Sequence, residues 1–208
     1  FWGFSGIIHH SSYKEIVDDI TKMPDANWFK GSTLNFAENL LKFKDDKIAI
    51  RFCGEDGTRS QLSYNDLNEK VAGLVSAMKK QGVKKGDRIC SLLPNIPETI
   101  IAMLATVSMG AIWSSCSPDF GTGAVVDRFS QITPKILFIG DKYFYNGKKI
   151  KVLERLPEIL KKVPSINKVV IVPYPGTEIE KKKNNIKIET YNWNELIHLK
   201  NQSKIQYV

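Results

Sequence analysis

Two short segments of the sequence combine residue types that could bind a ligand. The first comprises the small polar run 114–118 and the three residues that follow it, Asp119, Phe120 and Gly121. It lies between a predicted strand and a predicted helix, and ligands of open α/β sheets bind at such strand ends. The same residues could instead form only a loop that caps the helix beginning near Gly123. The residue types leave both interpretations open.

The second segment is a short run with a basic end, made of Tyr145, Asn146, Gly147 and Lys148 and followed by Lys149. An Asn-Gly pair favours a tight turn. Lysine side chains beside such a turn, past the end of a strand, could bind a phosphate group. A plain surface turn accounts for the same spacing, so the phosphate site is one of two open interpretations.

Motifs of several nucleotide-binding enzyme classes are absent from the sequence. It contains neither the G-x-G-x-x-G of dinucleotide enzymes nor the G-x-x-x-x-G-K-[ST] of P-loop nucleotidases. Residues 119–121 match the magnesium-binding tripeptide of kinases, but no H-R-D motif or glycine-rich loop accompanies them. His9 and His10 are adjacent and His198 has no evident partner, so we expect no catalytic or ligand role for the histidines.

Cysteine usage and hydropathy indicate the compartment. No C-x-x-C pair occurs among the three cysteines, which are Cys53, Cys90 and Cys116. A disulfide framework and a zinc site are therefore disfavoured, and a reducing cytosol fits. No stretch reaches the roughly 18 uncharged apolar residues of a membrane helix. The N-terminus has neither a signal peptide nor a starting Met, and we expect a fragment or trimmed chain.

The composition is that of a folded protein with an uneven charge distribution. Hydrophobic residues make up 42% and charged residues 25% of the 208 residues. The net charge is +8, and residues 142–208 carry all of it, with 14 Lys and Arg against 6 Asp and Glu. A basic region of this kind indicates nucleic acid, an anionic surface or a phosphorylated ligand as partner, or only a solvated lysine-rich surface.

Hydrophobic periodicity predicts the elements before residue 88. A helical pattern covers residues 34–41, and an antiparallel strand pair covers residues 48–53 and 60–62. Ser63, followed three residues later by Asp66, resembles a capping box at the start of an amphipathic helix. Gly82 ends that helix.

From Arg88 onward predicted strands and helices alternate strictly. The strands cover residues 88–93, 111–115, 135–139 and 168–172, and the helices between them cover residues 97–109, 123–132 and 152–163. Such alternation with short connections predicts a parallel sheet in a doubly wound α/β fold. After Pro173 the pattern weakens to a turn, a charged loop over residues 180–185 and a short helix over residues 191–199.

Ten runs of residues, taken in order, resemble the adenylate-forming acyl-CoA synthetases. Residues 28–41 resemble the N-terminal region of acetyl- and acetoacetyl-CoA synthetases, and the string Leu62-Ser63-Tyr64-x-x-Leu67 resembles the first core motif of the superfamily. The further runs are residues 82–88, 93–95, 103–105, 110–115, 117–121, 127–132, 134–135 and 145–148. The last four look specifically like the acetoacetyl-CoA synthetase branch, and the resemblance extends from residue 1 to about residue 173.

The resemblance implies a two-step reaction that uses ATP with Mg²⁺ and then CoA. A carboxylate and ATP give an acyl-adenylate and pyrophosphate, and the CoA thiol then displaces AMP. The family binds phosphates with a Ser/Thr/Gly-rich loop ending in Pro-Lys and uses a lysine from a C-terminal domain. Neither occurs in the 208 residues. We therefore expect no catalytic residue and no ATP or Mg²⁺ site here, and no activity of the fragment alone.

The resemblance also implies where CoA would bind. Tyr145, Asn146, Gly147 and Lys148 match the position at which related acetyl-CoA synthetases hold a CoA phosphate with arginines. Only Lys148 is cationic here, and a lysine lacks the paired donors of arginine. The loop that contains Asp119, Phe120 and Gly121 matches a second CoA-lining segment with different residues.

These implications define the expectations for the whole protein. We expect an acetyl-CoA-synthetase-like segment over residues 1–45 and the first part of the AMP-binding domain, with an incomplete sheet, over residues 46–208. The expected activity is cytosolic ligation of acetoacetate to CoA, in ketone-body use for lipid synthesis. The expected partners are small-molecule substrates and the remainder of its own chain, not nucleic acid or a membrane. The alternatives are a synthetase for another small acid, or a non-catalytic module that binds anionic partners through residues 142–208.

Overall fold

The computed structural model describes residues 1–179, 188–197 and 204–208 of the chain. Its N-terminal segment contains four short elements: α1 (Trp2–Ser5), β1 (Glu15–Val17), β2 (Trp28–Lys30) and α2 (Phe36–Leu40). Strands β1 and β2 pair antiparallel, away from the main sheet. The side chain of Asn35 caps α2 and also donates to the carbonyls of Val107 and Ser108, which fastens this segment to the rest of the fold.

An antiparallel hairpin and a long helix follow, as predicted. They are β3 (Ile48–Cys53), β4 (Arg59–Ser63) and α3 (Tyr64–Lys80). The capping box is confirmed, because the Ser63 hydroxyl accepts from the Asp66 amide while the Asp66 carboxylate accepts from the Ser63 amide. Gly82 follows the helix with a φ of 76°, in the left-handed region that glycine adopts readily.

In the described residues after Gly82, helices separate the first four strands of the central sheet, and a two-stranded hairpin is inserted after the third. In chain order the elements are β5 (Arg88–Leu92), α4 (Pro97–Ser108), β6 (Ile112–Cys116), α5 (Thr122–Ile132), β7 (Ile136–Gly140), β8 (Lys142–Tyr145), β9 (Lys148–Lys151), a 3₁₀ turn (Leu153–Arg155), α6 (Leu156–Lys162), β10 (Lys168–Val172), β11 (Glu189–Asn192) and α7 (Trp193–Ile197). The predicted strands and helices from Arg88 to Val172 are confirmed within one or two residues, apart from the start of the helix at 152–163. There a 3₁₀ turn precedes α6, which has Pro157 in its first turn.

The central sheet is parallel, with the strand order β11-β10-β7-β5-β6. Successive side chains of a strand point to opposite faces, and both faces are covered. Ile136 and Phe138 pack in a core with α3, α4 and α7, whereas Leu137 and Ile139 pack in a second core with α5 and α6. The predicted doubly wound α/β class is therefore confirmed.

The structure differs from the sequence prediction near the C-terminus. The sequence predicts a helix over residues 191–199, but β11 occupies Glu189–Asn192 and pairs parallel with β10 before α7 begins at Trp193. Thr190 and Tyr191 favour a strand, and the four residues are too few to show an alternating pattern. The charged loop at 180–185, residues 198–199 and His198 lie outside the described residues.

Candidate functional site

A cleft of about 310 Å³ opens at the carboxyl ends of the parallel strands. Strands β5 and β7 are neighbours, and the chain runs outward from them in opposite directions, so the cleft lies at the point where ligands of doubly wound sheets bind. The turn of the β3–β4 hairpin forms the opposite wall. Its lining residues are Phe52, Cys53, Gly54, Glu55, Pro94, Asn95, Ile96, Ser117, Pro118, Asp119, Tyr143, Phe144, Tyr145 and Tyr174.

The hairpin β8–β9 leaves the sheet at one buried carboxylate. Asp141 accepts from the backbone amides of Lys142 at 2.7 Å and Tyr174 at 2.9 Å, and forms an ion pair with the Lys142 ammonium at 3.0 Å. Its carbonyl accepts from the amides of Val152 and Leu153, where the chain returns from the hairpin. Asp141 therefore closes the base of the hairpin and joins it to the end of β10.

The segment 145–148 forms the tip of this hairpin. Asn146 and Gly147 have φ angles of 49° and 70°, which is the geometry of a two-residue type I′ turn. The predicted tight turn is confirmed. Tyr145 pairs directly with Lys148 across the hairpin, so the two side chains lie on the same face, and both are exposed.

The segment 117–121 forms the loop between β6 and α5. The Ser117 hydroxyl donates to Asp119 at 2.8 Å, and the guanidinium of Arg128 lies 4.4 Å from the centre of the Phe120 ring. Gly121 is the residue before α5, and it gives that helix no side-chain cap. The loop both lines the cleft and leads into α5. The interpretation as a ligand-binding loop and the interpretation as a helix-capping loop are therefore compatible.

One arginine, which no sequence motif identified, joins the two segments. Arg155 donates from Nη1 to the carbonyls of Pro118 at 2.6 Å and Phe120 at 2.9 Å. The Tyr143 hydroxyl lies close enough to the side chains of Asp119 and Arg155 for both to affect its pKa. A signal was present in the sequence, since Arg155 is the only arginine among the lysine-rich residues 142–208.

Burial raises the pKa of two tyrosines that line the cleft. For Tyr143, the hydrogen bond and the negative charge of Asp119 add to the effect of burial on the pKa. Burial and the neighbouring Asp56 carboxylate raise the pKa of Tyr174 to about 12, and its hydroxyl donates to Asp56 at 3.0 Å. Both hydroxyls therefore stay protonated donors at neutral pH, and Tyr174 fastens the β3–β4 turn to the end of β10.

The charges and shapes around the cleft suit different parts of a ligand. Aromatic rings from Phe52, Tyr143, Phe144, Tyr145 and Tyr174 line its walls together with two carboxylates, and such walls suit a flat or apolar group better than a phosphate. The cationic side chain at the hairpin tip, Lys148, lies outside this lining. A ligand with an apolar arm and a phosphate could contact both.

The structure brings only some of the predicted residues together. Asp119 and Tyr145 line the cleft, whereas Phe120, Gly121, Asn146, Gly147 and Lys148 follow them in the chain and are not among its lining residues. A ligand role for any of the seven stays a prediction. Within the described ranges, no three His, Cys, Asp or Glu side chains form a group that could hold a metal ion. No described helix has the length and hydropathy to span a membrane.

Comparisons with known proteins agree on one family. The sequence model described as AMP-binding enzyme matches residues 36–204. The acetoacetyl-CoA synthetase of Macaca fascicularis is 45% identical over 177 residues, which cover 84% of this chain and 26% of that protein. The malonamoyl-CoA synthetase of Penicillium aethiopicum is 39% identical over 178 residues, 82% of this chain and 25% of that one.

A solved structure gives the same result. The acetoacetyl-CoA synthetase from Streptomyces lividans superposes with a TM-score of 0.86 at 32% identity, and the match covers 100% of this chain and 31% of that one. The resemblance identified from the sequence motifs is thereby confirmed. The chain spans about a quarter of the length of the curated relatives it matches.

Proposed function

The chain belongs to the AMP-binding enzyme family, and from this we propose that the full-length protein ligates acetoacetate to CoA. One observation carries the proposal: the similarity to acetoacetyl-CoA synthetases extends over more than four-fifths of the chain. Those relatives are named for acetoacetyl-CoA, the thioester that acetoacetate and CoA would give. We assign the cleft at the carboxyl ends of the strands to part of one substrate.

The proposed reaction proceeds through an acyl-adenylate. The acetoacetate carboxylate attacks the α-phosphorus of ATP, and pyrophosphate leaves. The CoA thiol then attacks the acyl carbon, loses its proton, and releases AMP as the thioester forms. We place the ATP and Mg²⁺ sites outside residues 1–208. The described residues hold no cluster suited to a metal ion, and the sequence has no Ser/Thr/Gly-rich loop ending in Pro-Lys.

CoA is the substrate that we assign to this part of the protein. We propose that Lys148, at the hairpin tip, pairs with a CoA phosphate, since an ammonium forms strong charge-assisted hydrogen bonds with phosphate oxygens. Tyr145, on the same face of the hairpin, and Asp119 would contact the remainder of CoA in the cleft. The exposed backbone of Asn146 and Gly147 and the loop residues Phe120 and Gly121 complete the proposed surface.

The domain division and the setting of the activity belong to the same proposal. We propose that residues 1–45 form an N-terminal segment and residues 46–208 the first part of the adenylation domain. In support, β1, β2 and α2 lie outside the central sheet, although the family match already begins at residue 36, with α2. The proposed compartment is the cytosol, and the proposed role is the use of ketone bodies for lipid synthesis.

A second candidate is a synthetase for another small carboxylic acid. The observation in its favour is the 39% identity to a protein named malonamoyl-CoA synthetase, which is close to the identity with the acetoacetyl-CoA synthetases. The cleft gives no reason to prefer one of these two acids, because we assign it to CoA and not to the acyl group.

The test uses the full-length enzyme and a panel of small acids. Acid-dependent exchange of labelled pyrophosphate into ATP measures the first step, and CoA-dependent AMP formation measures the second. We expect acetoacetate to give the highest kcat/KM in the panel. A higher value for malonamate or another acid would support the second candidate. No exchange with any acid would contradict the ligase proposal altogether.

A further inference from the structure

The side chain of Arg155 connects the two segments that line one end of the cleft. It follows β9 directly through the 3₁₀ turn, so it belongs to the hairpin side of the cleft. Its Nη1 donates to two carbonyls of the opposite loop, those of Pro118 and Phe120. Tyr143 of the hairpin lies near both Arg155 and Asp119, so the two segments are also close at this point.

The hairpin needs such a link because a two-stranded hairpin has little stability of its own. Strands β8 and β9 have four residues each and form their own two-stranded sheet, separate from the central one. Asp141 fixes the base of the hairpin where it leaves β7. Arg155 adds a contact across the cleft, from the returning chain to the loop after β6.

Arginine is suited to this role by its geometry. The guanidinium is planar, stays charged and presents five N–H donors in fixed directions, so one side chain can bond two carbonyls together. Both carbonyl bonds come from Nη1, so this nitrogen is directed at the protein loop and not at a ligand.

We propose that Arg155 is a positioning residue for CoA. It holds the 117–121 loop against the β8–β9 hairpin, and so keeps Lys148 and the loop at the spacing that the coenzyme requires. The inference rests on the proposed function, because it concerns the same CoA site. Arg155 itself contacts protein groups and not the coenzyme.

The experiment replaces Arg155 with Gln in the full-length enzyme and measures each step separately. Loss of the Arg155 hydrogen bonds is expected to misplace Lys148 and so to raise the KM for CoA by about tenfold. This is the effect of losing one charge-assisted contact with a phosphate. The rate of acetoacetate-dependent pyrophosphate exchange should stay within about twofold, since adenylation precedes CoA binding. Lys161→Gln, which removes an exposed charge from the adjoining helix α6, is the control and should change neither value. A KM for CoA within twofold of wild type in Arg155→Gln overturns the proposal.

A double substitution separates positioning from overall damage. If Arg155 acts by placing Lys148, then adding Arg155→Gln to Lys148→Gln should raise the KM for CoA by less than about threefold further. A full further tenfold rise would show that Arg155 acts independently of the hairpin lysine and contradict the inference. The proposed function fails separately, by absence of CoA ligation in the wild-type enzyme, or by a Lys148→Gln variant whose KM for CoA is unchanged.

Discussion

The Asp141 carboxylate shows how single residues shape the cleft. It is buried with Lys142, and it binds the amide of Tyr174 at the end of another strand. Breaking a buried ion pair by removing one partner costs about 3–5 kcal/mol, because the other charge stays buried without compensation. Asp141 and Lys142 are therefore structural residues at the base of the β8–β9 hairpin, although Asp and Lys are residue types usually found at the surface.

Gly54 gives the sharpest prediction at the scale of one residue. A Cβ at this position would lie 2.2 Å from the Tyr174 hydroxyl and 2.5 Å from an Asp56 carboxylate oxygen. We expect Gly54→Ala to break the Tyr174–Asp56 hydrogen bond and to lower the free energy of unfolding by about 1–3 kcal/mol. Urea denaturation monitored by tryptophan fluorescence measures the change.

Gly123→Ala is the matched control for this substitution. Gly123 lies in α5, and no atom lies within 4 Å of an added Cβ. Since alanine favours helix over glycine by about 1 kcal/mol, this variant should be as stable as wild type or more stable. If the Gly54→Ala variant is as stable as wild type, the Tyr174 side chain can move away from the added methyl group without loss of stability, and the prediction is wrong.

At the scale of elements, the long helices and buried strands could be predicted because their signals are local in the sequence. The short strands lack such signals and were missed. The capping box at Ser63 and the apolar runs of β5, β7 and β10 are strong signals, because burial on both faces selects continuous apolar residues. Strands β8, β9 and β11 have four residues each, too few for an alternating pattern, and β9 and β11 are also polar in composition. Their pairing depends on contacts distant in the sequence, such as Lys168 opposite Glu189.

The same distinction holds for the candidate site. The Asn-Gly turn and the small polar loop were visible as local patterns, and the structure places a member of each in one cleft. Arg155 and Tyr174 were not visible, since their importance comes from partners 35–37 and 118 residues away. In a single sequence nothing indicates that two such distant residues are in contact.

The second prediction concerns the turn of the β8–β9 hairpin. Gly147 has a φ of 70°, where an alanine costs about 1–2 kcal/mol. Gly147→Ala should lower stability by that amount and, in the full-length enzyme, raise the KM for CoA several-fold because the tip that carries Lys148 is distorted. Thermal unfolding and steady-state kinetics measure the two effects.

Gly86→Ala is the control, because Gly86 has a φ of 82°, open space for a Cβ, and a position at the amino end of β5, away from the cleft. It should lose similar stability and keep the KM for CoA. If both variants raise this KM equally, the effect is one of general destabilisation and the hairpin has no special role.

At the scale of the whole molecule, the fold of residues 1–208 corresponds to about a quarter of the relatives' length. The described part contains the cleft that we assign to CoA, and no group of three His, Cys, Asp or Glu side chains in that part could hold a metal ion. We expect the 208-residue chain, expressed alone, to form no acyl-CoA. A coupled assay for pyrophosphate, with ATP, Mg²⁺, acetoacetate and CoA, should match a blank without protein. Acetoacetate-dependent pyrophosphate release above that blank would contradict the proposal that the ATP and Mg²⁺ sites lie outside residues 1–208.

The most direct test of the central claim, that this hairpin binds CoA, is the substitution Lys148→Glu in the full-length enzyme. A charge-assisted contact with phosphate contributes about 1.5–3 kcal/mol, and reversal of the charge adds repulsion. Lys149→Glu is the matched control, because adjacent residues of a strand point to opposite faces.

We predict a KM for CoA that rises by about tenfold or more in Lys148→Glu, since about 1.4 kcal/mol corresponds to one decade. The KM values for ATP and acetoacetate and the rate of pyrophosphate exchange should stay nearly unchanged, and the Lys149→Glu control should stay close to wild type. An unchanged KM for CoA in Lys148→Glu would contradict the claim, and the β8–β9 turn would then be a surface turn only.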